Sequence, residues 1–330
     1  MTTLEILKNT ARSFSINIEE KTFETPFFFP AISSIKTNLT INEYLNFLKT
    51  VDYPSFLISA YDIFNSEKDE RADILKKVSE STKKGTITFL DSGNYESTWN
   101  RDKTWGIQSL ERVLKDVDID FCFSFDLFWH QTDIDDYVKN NIGLVAKTAG
   151  MQRGGTTVPI VHSPPDILPK IIGKIIDGIN PEIIAVAERD LGASIIERAK
   201  ILKKIRDELN KKEKPLPLHL LGTGNPISLL IYTACGADMY DGLEWCKNVV
   251  NQNTGHLFHF VQKDLIECDC PACKVNGIPY HFQTMAHNLI FFEKFLKKIR
   301  RAIKDNCFND ILSEYINEQN AKHIIKIAGL

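Results

Sequence analysis

The sequence predicts an α/β protein of the (β/α)₈ TIM-barrel class, followed by an appended cysteine-containing subdomain. Two observations carry this prediction: short apolar runs alternate with longer amphipathic stretches, and chemically active polar residues follow most of the runs. Parallel strands buried on both faces read as near-continuous apolar runs. Strands that alternate with helices form right-handed βαβ units and hence a parallel sheet.

The predicted strands are short, bounded by polar or turn residues, and often β-branched or aromatic: 27–32, 56–60, 86–90, 121–125, 157–161, 183–187, 216–221 and 237–240. The stretches between them carry helical spacing of apolar residues, for example at 41–48, 72–81, 107–115, 134–149, 195–209 and 227–235. Eight such runs favour a closed barrel over an open doubly wound sheet.

The bulk composition narrows the class of protein. The 330 residues are 43% hydrophobic and 25% charged, which is ordinary for a globular protein. A net charge of -3 excludes a strongly basic nucleic-acid protein on composition alone, although it allows a local basic face. The N-terminus lacks the apolar core of a signal peptide and no run of eighteen apolar residues exists, so we expect a cytoplasmic protein without a membrane partner.

The pattern changes after the eighth run. Residues 242–285 hold turns, a short β-like stretch at 256–261 and a cysteine cluster, and a long helix is predicted from His287 to Ile303. We therefore expect a barrel body over residues 1–241, a subdomain over 242–303 that packs on the barrel, and a C-terminal helical tail over 304–330.

The cysteine cluster predicts a metal site. Three of the seven cysteines lie within Cys268-Asp-Cys-Pro-Ala-Cys273, and in a reducing compartment such crowding indicates metal ligation. Tetrahedral zinc needs four nitrogen or sulfur ligands, and a site filled by four protein ligands is structural. His281 and His287 are the candidates for the fourth ligand. His287 is favoured, because it is predicted to open a rigid helix.

Polar side chains follow five of the predicted strands, namely Asp91, Asp126, His162, Glu188 and Asp241, and Gly222 follows a sixth. A single such aspartate is usually a helix N-cap. The C-terminal ends of barrel strands converge on one mouth, where this fold places its chemistry. Residues of this kind after most of strands three to eight therefore predict a functional cluster.

Several segments, in order, resemble the hallmark segments of the tRNA-guanine transglycosylase family. Phe23-Glu-Thr-Pro-Phe-Phe-Phe-Pro30 is similar to the family's first strand, and Asp91-Ser-Gly-Asn-Tyr95 is similar to its D-S-G-G-[FY]-Q. Leu220-Leu-Gly-Thr-Gly-Asn-Pro226 and Gly236-Ala-Asp-Met-Tyr-Asp-Gly242 resemble its H-x-[LM]-G-x-G-x-P and G-x-D-x-F-D. The cysteine segment with His287-Asn288 resembles its C-x-C-x₂-C...HN. The resemblance runs from about residue 23 to residue 303.

The resemblance implies a (β/α)₈ barrel with a structural Zn²⁺ subdomain. It also implies replacement of guanine in nucleic acid by a 7-deazaguanine, such as preQ0, preQ1 or queuine. The family's reaction passes through a covalent Asp–ribosyl or deoxyribosyl intermediate, and related enzymes form homo- or heterodimers. The expected partners are therefore tRNA or DNA, a modified base and a second subunit.

Carried over by position, the resemblance makes Asp241 the nucleophile, Asp91 the general acid/base and Asp126 the base-recognising carboxylate. A carboxylate can trap the cationic sugar covalently, and a second one can protonate the departing purine and deprotonate the incoming one. A third can accept hydrogen bonds from the donor edge of guanine. The other expected substrate-binding residues lie beside these: Ser92, Tyr95 as a stacking wall, His162, Glu188, Gly222 and Lys247.

This chain departs from the family in its base pocket. Gly-Asn-Tyr-Glu at 93–96 stands where the family has G-G-F-Q, His162 where it has a base-contacting Gln, and Lys247 where it has an Arg. Ala187-Glu-Arg-Asp190 replaces a G-G-L segment. These changes suggest an altered base or polymer. A DNA-specific enzyme that inserts preQ0 is therefore the main alternative to a tRNA enzyme.

Two further alternatives come from other classes of protein. The family includes non-catalytic nucleic-acid-binding subunits, but retention of Asp91, Asp126 and Asp241 argues against that role. A zinc-containing barrel hydrolase would need metal ligands at the barrel mouth, where His162 is the nearby imidazole.

Overall fold

The computed structural model describes residues 10–35, 37–130, 133–214 and 216–330. The chain divides into two compact units. One comprises the described residues of 29–187, and the other comprises residues 10–28 together with the described residues of 188–330.

The strands found in these residues are β1 (Ser15–Ile18), β2 (Lys21–Glu24), β3 (Phe27–Ile32), β4 (Ser55–Ser59), β5 (Ile87–Asp91), β6 (Phe121–Phe123), β7 (Thr156–Val158), β8 (Ile160–Val161), β9 (Ile184–Ala187), β10 (Leu218–Leu221), β11 (Met239–Gly242), β12 (Asn248–Val250) and β13 (Leu257–His259). The helices are α1 (Ile41–Thr50), α2 (Ala60–Asn65), α3 (Lys68–Lys83), α4 (Asn94–Trp99), α5 (Ile107–Leu114), α6 (Ile134–Ala149), α7 (Leu168–Ile179), α8 (Ile195–Asn210), α9 (Pro226–Ala234), α10 (Glu244–Lys247), α11 (Pro271–Lys274), α12 (Tyr280–Lys304), α13 (Phe308–Tyr315) and α14 (Glu318–Ala328). Glu188–Leu191 and Phe260–Leu265 are 3₁₀ turns.

The 29–187 unit is built on parallel strands. β3 pairs with β4, β4 with β5, β5 with β6 and β6 with β7, all in parallel. Pro159 separates β7 from β8, because proline has no N–H to donate to the ladder. β8 pairs in parallel with β9, so residues 156–161 act as one strand with neighbours on both sides. The core is aromatic, with the Phe89 ring centroid 4.2 Å from that of Phe123.

The other unit carries the last two strands and the C-terminal helices. β10 and β11 pair in parallel, with His219 opposite Met239. The Phe27 N–H donates to the Asp238 carbonyl at 3.0 Å, which joins the start of β3 to the residue before β11. Phe28 stacks on Phe292 of α12, with ring centroids 4.3 Å apart.

Parallel strands that alternate with helices in this succession confirm the predicted (β/α)₈ barrel class. All eight predicted strands are present, and α6 has the predicted bounds. The predicted start of the long helix was wrong, since α12 begins at Tyr280 rather than His287. Pro279 precedes it, and the Tyr280 hydroxyl donates to the Phe260 carbonyl at 3.1 Å, which fixes this earlier start. The domain boundaries at residues 241 and 303 stay predictions.

Candidate active site and metal cluster

The three cysteines and His287 come together in one cluster. One ligand atom from each of Cys268, Cys270, Cys273 and His287 lies within 4.8 Å of all the others, so this group could hold a metal ion. His287 Nδ1 is 3.5 Å from Cys270 Sγ and 3.4 Å from Cys273 Sγ. His281, the alternative, is outside the cluster, and its ring lies 4.2 Å from that of Phe282.

The chemistry of this donor set fits a tetrahedral metal site. His287 is fully buried, and its Nε2 lies 2.7 Å from the Val250 carbonyl. An Nε2–H donated to that carbonyl leaves Nδ1 as the lone-pair nitrogen facing the sulfurs, as in metal-bound histidines generally. The three cysteines lie on a tight turn. Cys270 is the N-cap residue of α11, and the Cys273 N–H donates to the Cys270 carbonyl at 3.0 Å.

Asn288, the next residue, ties α12 to the chain that follows β11. Its side-chain amide donates to the carbonyls of Trp245 at 2.8 Å and Asn248 at 2.7 Å. Its carbonyl oxygen accepts from the Val250 N–H at 3.0 Å. His287 therefore belongs to the cysteine cluster, whereas the adjacent Asn288 binds residues 245–250.

Asp241 is a buried carboxylate at the end of β11, 7% exposed. Its Oδ1 lies 2.8 Å from His219 Nε2, and its Oδ2 accepts from the Gly222 N–H at 3.3 Å. His219 comes from β10 and is fully buried. Sequence reasoning missed this histidine, although the quoted pattern H-x-[LM]-G-x-G-x-P begins at position 219 of this chain.

The turn that presents Gly222 has a local explanation. Gly222 takes φ +74°, a left-handed conformation that glycine adopts without strain. Asn225 then caps α9, because its Oδ1 accepts from the N–H groups of Ile227 at 3.0 Å and Ser228 at 3.1 Å. Pro226 occupies the first turn, where its missing N–H has no cost.

Asp238, three residues earlier, has a structural role. Its carboxylate is fully buried and accepts from Arg12 Nε at 2.8 Å, Arg206 Nη2 at 2.7 Å and the Leu218 N–H at 2.8 Å. Burial, followed by the neighbouring Arg12 charge, lowers the pKa of Arg206 to about 9. These contacts engage both oxygens of Asp238 and leave Asp241 as the carboxylate at the strand end.

Two more acidic residues lie in the same unit as Asp241. Glu188, at the end of β9, accepts hydrogen bonds on Oε1 from Arg198 at 2.8 Å and from the Tyr232 hydroxyl at 2.8 Å. Glu244, on α10, was not predicted. Desolvation raises its pKa to about 7, with smaller contributions from the charges of Glu188 and Asp241. Lys247, at the end of α10, is half-buried.

Three predicted residues of the 29–187 unit, Ser92, Asp126 and His162, come together beyond the ends of their strands, and Asp91 directly precedes Ser92. Asp91 ends β5, and its Oδ2 accepts from the Gly93 N–H at 2.9 Å. The Ser92 hydroxyl donates to Asp126 Oδ1 at 3.0 Å. His162 Nε2 lies 3.5 Å from Asp126 Oδ2, and the His162 ring stacks on Phe128 at 4.8 Å. This group can accept and donate hydrogen bonds to a flat heterocycle.

Tyr95 differs from its neighbours in being 39% exposed. It lies on α4, and its ring meets Trp99 edge-on at 6.3 Å. An exposed ring one residue beyond Asn94 on the helix that follows Asp91 is available to stack on a planar ligand.

No helix in the described part of the chain combines the length and apolar character needed to cross a bilayer.

Comparisons with known proteins give partial similarity to one group of enzymes. No family model matches the sequence. The chain is 28% identical over 127 residues to the queuine tRNA-ribosyltransferases of Haemophilus ducreyi, Haemophilus influenzae and Actinobacillus pleuropneumoniae. Each match covers 30% of this chain and 32% of the relative, so the chain spans about a third of the length of these relatives. This similarity supports a divergent relationship to the tRNA-guanine transglycosylase family.

Proposed function

We propose, from the premise that this chain is a divergent relative of the tRNA-guanine transglycosylases, that it exchanges guanine in a nucleic acid for a 7-deazaguanine. The observation that carries this proposal is the Asp241 carboxylate, held at the end of β11 by His219 and the Gly222 N–H. A carboxylate fixed by two donors in a buried setting is suited to attack on an anomeric carbon.

Asp241 is the proposed nucleophile. Its free oxygen lone pair forms a bond to C1′ of the target nucleoside while the C1′–N9 bond of guanine breaks. Because positive charge builds on the sugar in this step, the carboxylate both stabilises and traps it. In the second half-reaction the incoming base attacks C1′ and the Asp241–C1′ ester bond breaks.

Asp91 is the proposed general acid/base. It gives a proton to the departing guanine and takes one from the incoming base, so each half-reaction is balanced in protons. The Gly93 N–H holds one of its oxygens at 2.9 Å, and this contact orients the carboxyl group.

Asp126, Ser92 and His162 are the proposed base-recognition group. The two free donors on the edge of guanine match a carboxylate acceptor, while the imidazole and hydroxyl supply further polar contacts. Tyr95 is the proposed stacking wall, and Glu188, Gly222 and Lys247 are proposed to line the substrate region.

The cysteine cluster is proposed to hold Zn²⁺ in a structural role. Four protein ligands leave no position for water or substrate, so the metal would supply folding free energy and no chemical step. Dimerisation and a cytoplasmic location stay predictions.

The deciding experiment is capture of the covalent intermediate. The purified chain is incubated separately with labelled tRNA and with single- and double-stranded DNA, then run on a denaturing gel. We expect a denaturant-resistant adduct with one of these polymers, lost in Asp241→Asn and retained in the matched surface control Asp264→Asn. The polymer that yields the adduct separates a tRNA enzyme from a DNA enzyme.

Two outcomes would overturn the proposal. An adduct that persists in Asp241→Asn would remove Asp241 as nucleophile. Salt-dependent binding of a polymer without any adduct would instead support a non-catalytic nucleic-acid-binding subunit.

A further inference from the structure

Glu96 is a buried carboxylate that lies close in sequence to Asp91. It is 3% exposed and belongs to α4, the short helix that follows the Asp91 loop. Its Oε1 accepts from the Ser33 hydroxyl at 2.6 Å and its Oε2 accepts from the Ser59 hydroxyl at 2.7 Å. Ser33 follows β3 and Ser59 ends β4, so one side chain joins α4 to the ends of two strands.

The loop between Asp91 and Glu96 is fixed from its other side as well. Gly93 has φ +86°, and a Cβ at this position would lie 2.6 Å from the Tyr61 nitrogen and 2.8 Å from Trp105 Cζ2. The Trp105 indole N–H donates to the Ser92 carbonyl at 3.2 Å. The position of Asp91 therefore depends on a backbone held at Ser92, Gly93 and Glu96.

The surroundings of Glu96 disfavour its charge. Desolvation, followed by the charge of Asp62 on α2, raises the pKa of Glu96 to about 7. Burial also raises the pKa of Asp62, although Asp62 accepts from the Ser34 N–H at 2.7 Å and the Ser34 hydroxyl at 2.6 Å. Burial, followed by the charge of Asp102, raises the pKa of Tyr61, which is also on α2.

We propose that Glu96 is a positioning residue for the Asp91 loop, and that its protonation state sets how firmly α4 is held to the ends of β3 and β4. Ionised Glu96 accepts a hydrogen bond on each oxygen, as the two serine contacts show. Protonated Glu96 must donate from one oxygen, so the serine hydroxyl on that side has to reorient in order to accept. The two serine hydrogen bonds, which form the tether of α4 to β3 and β4, therefore change with the protonation state of Glu96. The link to catalysis rests on the proposed role of Asp91, whereas the tether itself does not.

Trp105 supplies a probe of this loop that needs no substrate. Its indole N–H resonance reports the hydrogen bond to Ser92, and Trp105→Phe identifies that resonance among the four tryptophans of the chain. The resonance is followed from pH 5.5 to 8.5 in the unmodified chain, in Glu96→Gln, in Asp62→Asn and in the exposed control Glu318→Gln. Glutamine keeps the size and one acceptor of the side chain but cannot titrate.

We expect the Trp105 resonance of the unmodified chain and of Glu318→Gln to shift with a midpoint near pH 7. Glu96→Gln should abolish this shift, and Asp62→Asn should move the midpoint to lower pH because it removes the neighbouring charge. A resonance that does not titrate in the unmodified chain, or that titrates unchanged in Glu96→Gln, would overturn the proposal. If Glu96→Gln does not fold, an unmoved midpoint in Asp62→Asn overturns it equally.

The same variants separate this proposal from the proposed function. If the Trp105 shift behaves as expected but no polymer forms an adduct, Glu96 still positions the loop and only the base-exchange activity fails. If an adduct forms, its rate should lose a pH inflection near 7 in Glu96→Gln, while the apparent affinity for polymer stays unchanged.

Discussion

His219 Nε2 lies 2.8 Å from Asp241 Oδ1, and the two residues belong to the neighbouring parallel strands β10 and β11. The imidazole is fully buried, so water does not compete with His219 for this hydrogen bond. Because the Gly222 N–H holds the second oxygen, the carboxylate has one orientation. The two contacts therefore orient the carboxylate that is proposed as the nucleophile.

His219→Leu should therefore slow adduct formation more than it weakens polymer binding. A misdirected reacting group typically costs on the order of 100-fold in rate. The measurement is the single-turnover rate of adduct formation at saturating polymer. His219→Gln, which keeps a donor, should recover part of the rate, and the exposed His323→Gln should match the unmodified chain. An unchanged rate in His219→Leu would show that the pair is not used.

Asp238→Asn should destabilise the fold severely. Arg12 and Arg206 are both buried against this carboxylate, and removal of its charge leaves two buried cations without the anion that neutralises them. Breaking a buried pair in this way costs about 3–5 kcal/mol. Urea unfolding measures the loss, and Glu318→Gln, which breaks the exposed pair with Lys322, should change the free energy of unfolding by less than about 0.5 kcal/mol.

Glu244→Gln should stabilise the protein only at high pH. The folded-state pKa of Glu244, about 7, exceeds the ordinary value of 4.5, so the native state keeps a proton that the unfolded chain loses. The contribution of Glu244 to the free energy of unfolding is therefore fully present below pH 4.5 and is lost as the pH rises through 7. Because Glu244 is half-buried, we expect the variant to gain roughly 1–3 kcal/mol at pH 8.5 and almost nothing at pH 4.5. A gain equal at both pH values would contradict the assigned proton.

Removal of the metal should loosen the unit that contains Asp241. The purified chain should hold one zinc per molecule, and a chelator should lower its Tm by about 5 °C or more, the shift that roughly 2 kcal/mol produces in a domain of this size. Cys270→Ser combined with Cys273→Ser should abolish zinc, whereas Cys307→Ser, outside the cluster, should retain it. Metal analysis and calorimetry test both statements, and zinc retained in the double variant would exclude this cluster.

The strands were predictable because their burial on both faces leaves a direct mark in the sequence. Phe27–Ile32 was predicted with its observed bounds, and Asp91 and Asp241 lie at the strand ends where the pattern placed them. Cysteine spacing similarly predicted a cluster that could hold a metal ion, and this cluster includes the favoured residue His287. The reason given for that ligand was wrong, since His287 lies two turns inside α12 and not at its start.

The partners of the site residues were less visible. His219 lies within an apolar strand and Glu96 within a mostly polar helix, and their roles depend on which side chains the fold brings opposite them. Glu244 lies in the segment Leu243-Glu-Trp-Cys-Lys247, where no sequence pattern indicates that its carboxyl group is desolvated. The pairing of Asp238 with Arg12 joins residues 226 positions apart, and no local pattern encodes such a contact.

His287 and Asn288 are consecutive on α12, and their side chains serve different parts of the chain. A change in the length of the segment between Val250 and His287 that rotates the helix by one residue would cost a metal ligand and three hydrogen bonds together. Insertions and deletions in this segment are therefore tolerated only when a loop absorbs them before Tyr280. The position of His287 in the cysteine cluster and the contacts of Asn288 with residues 245–250 therefore depend on the same helical register. We expect distant homologues to keep these two residues adjacent.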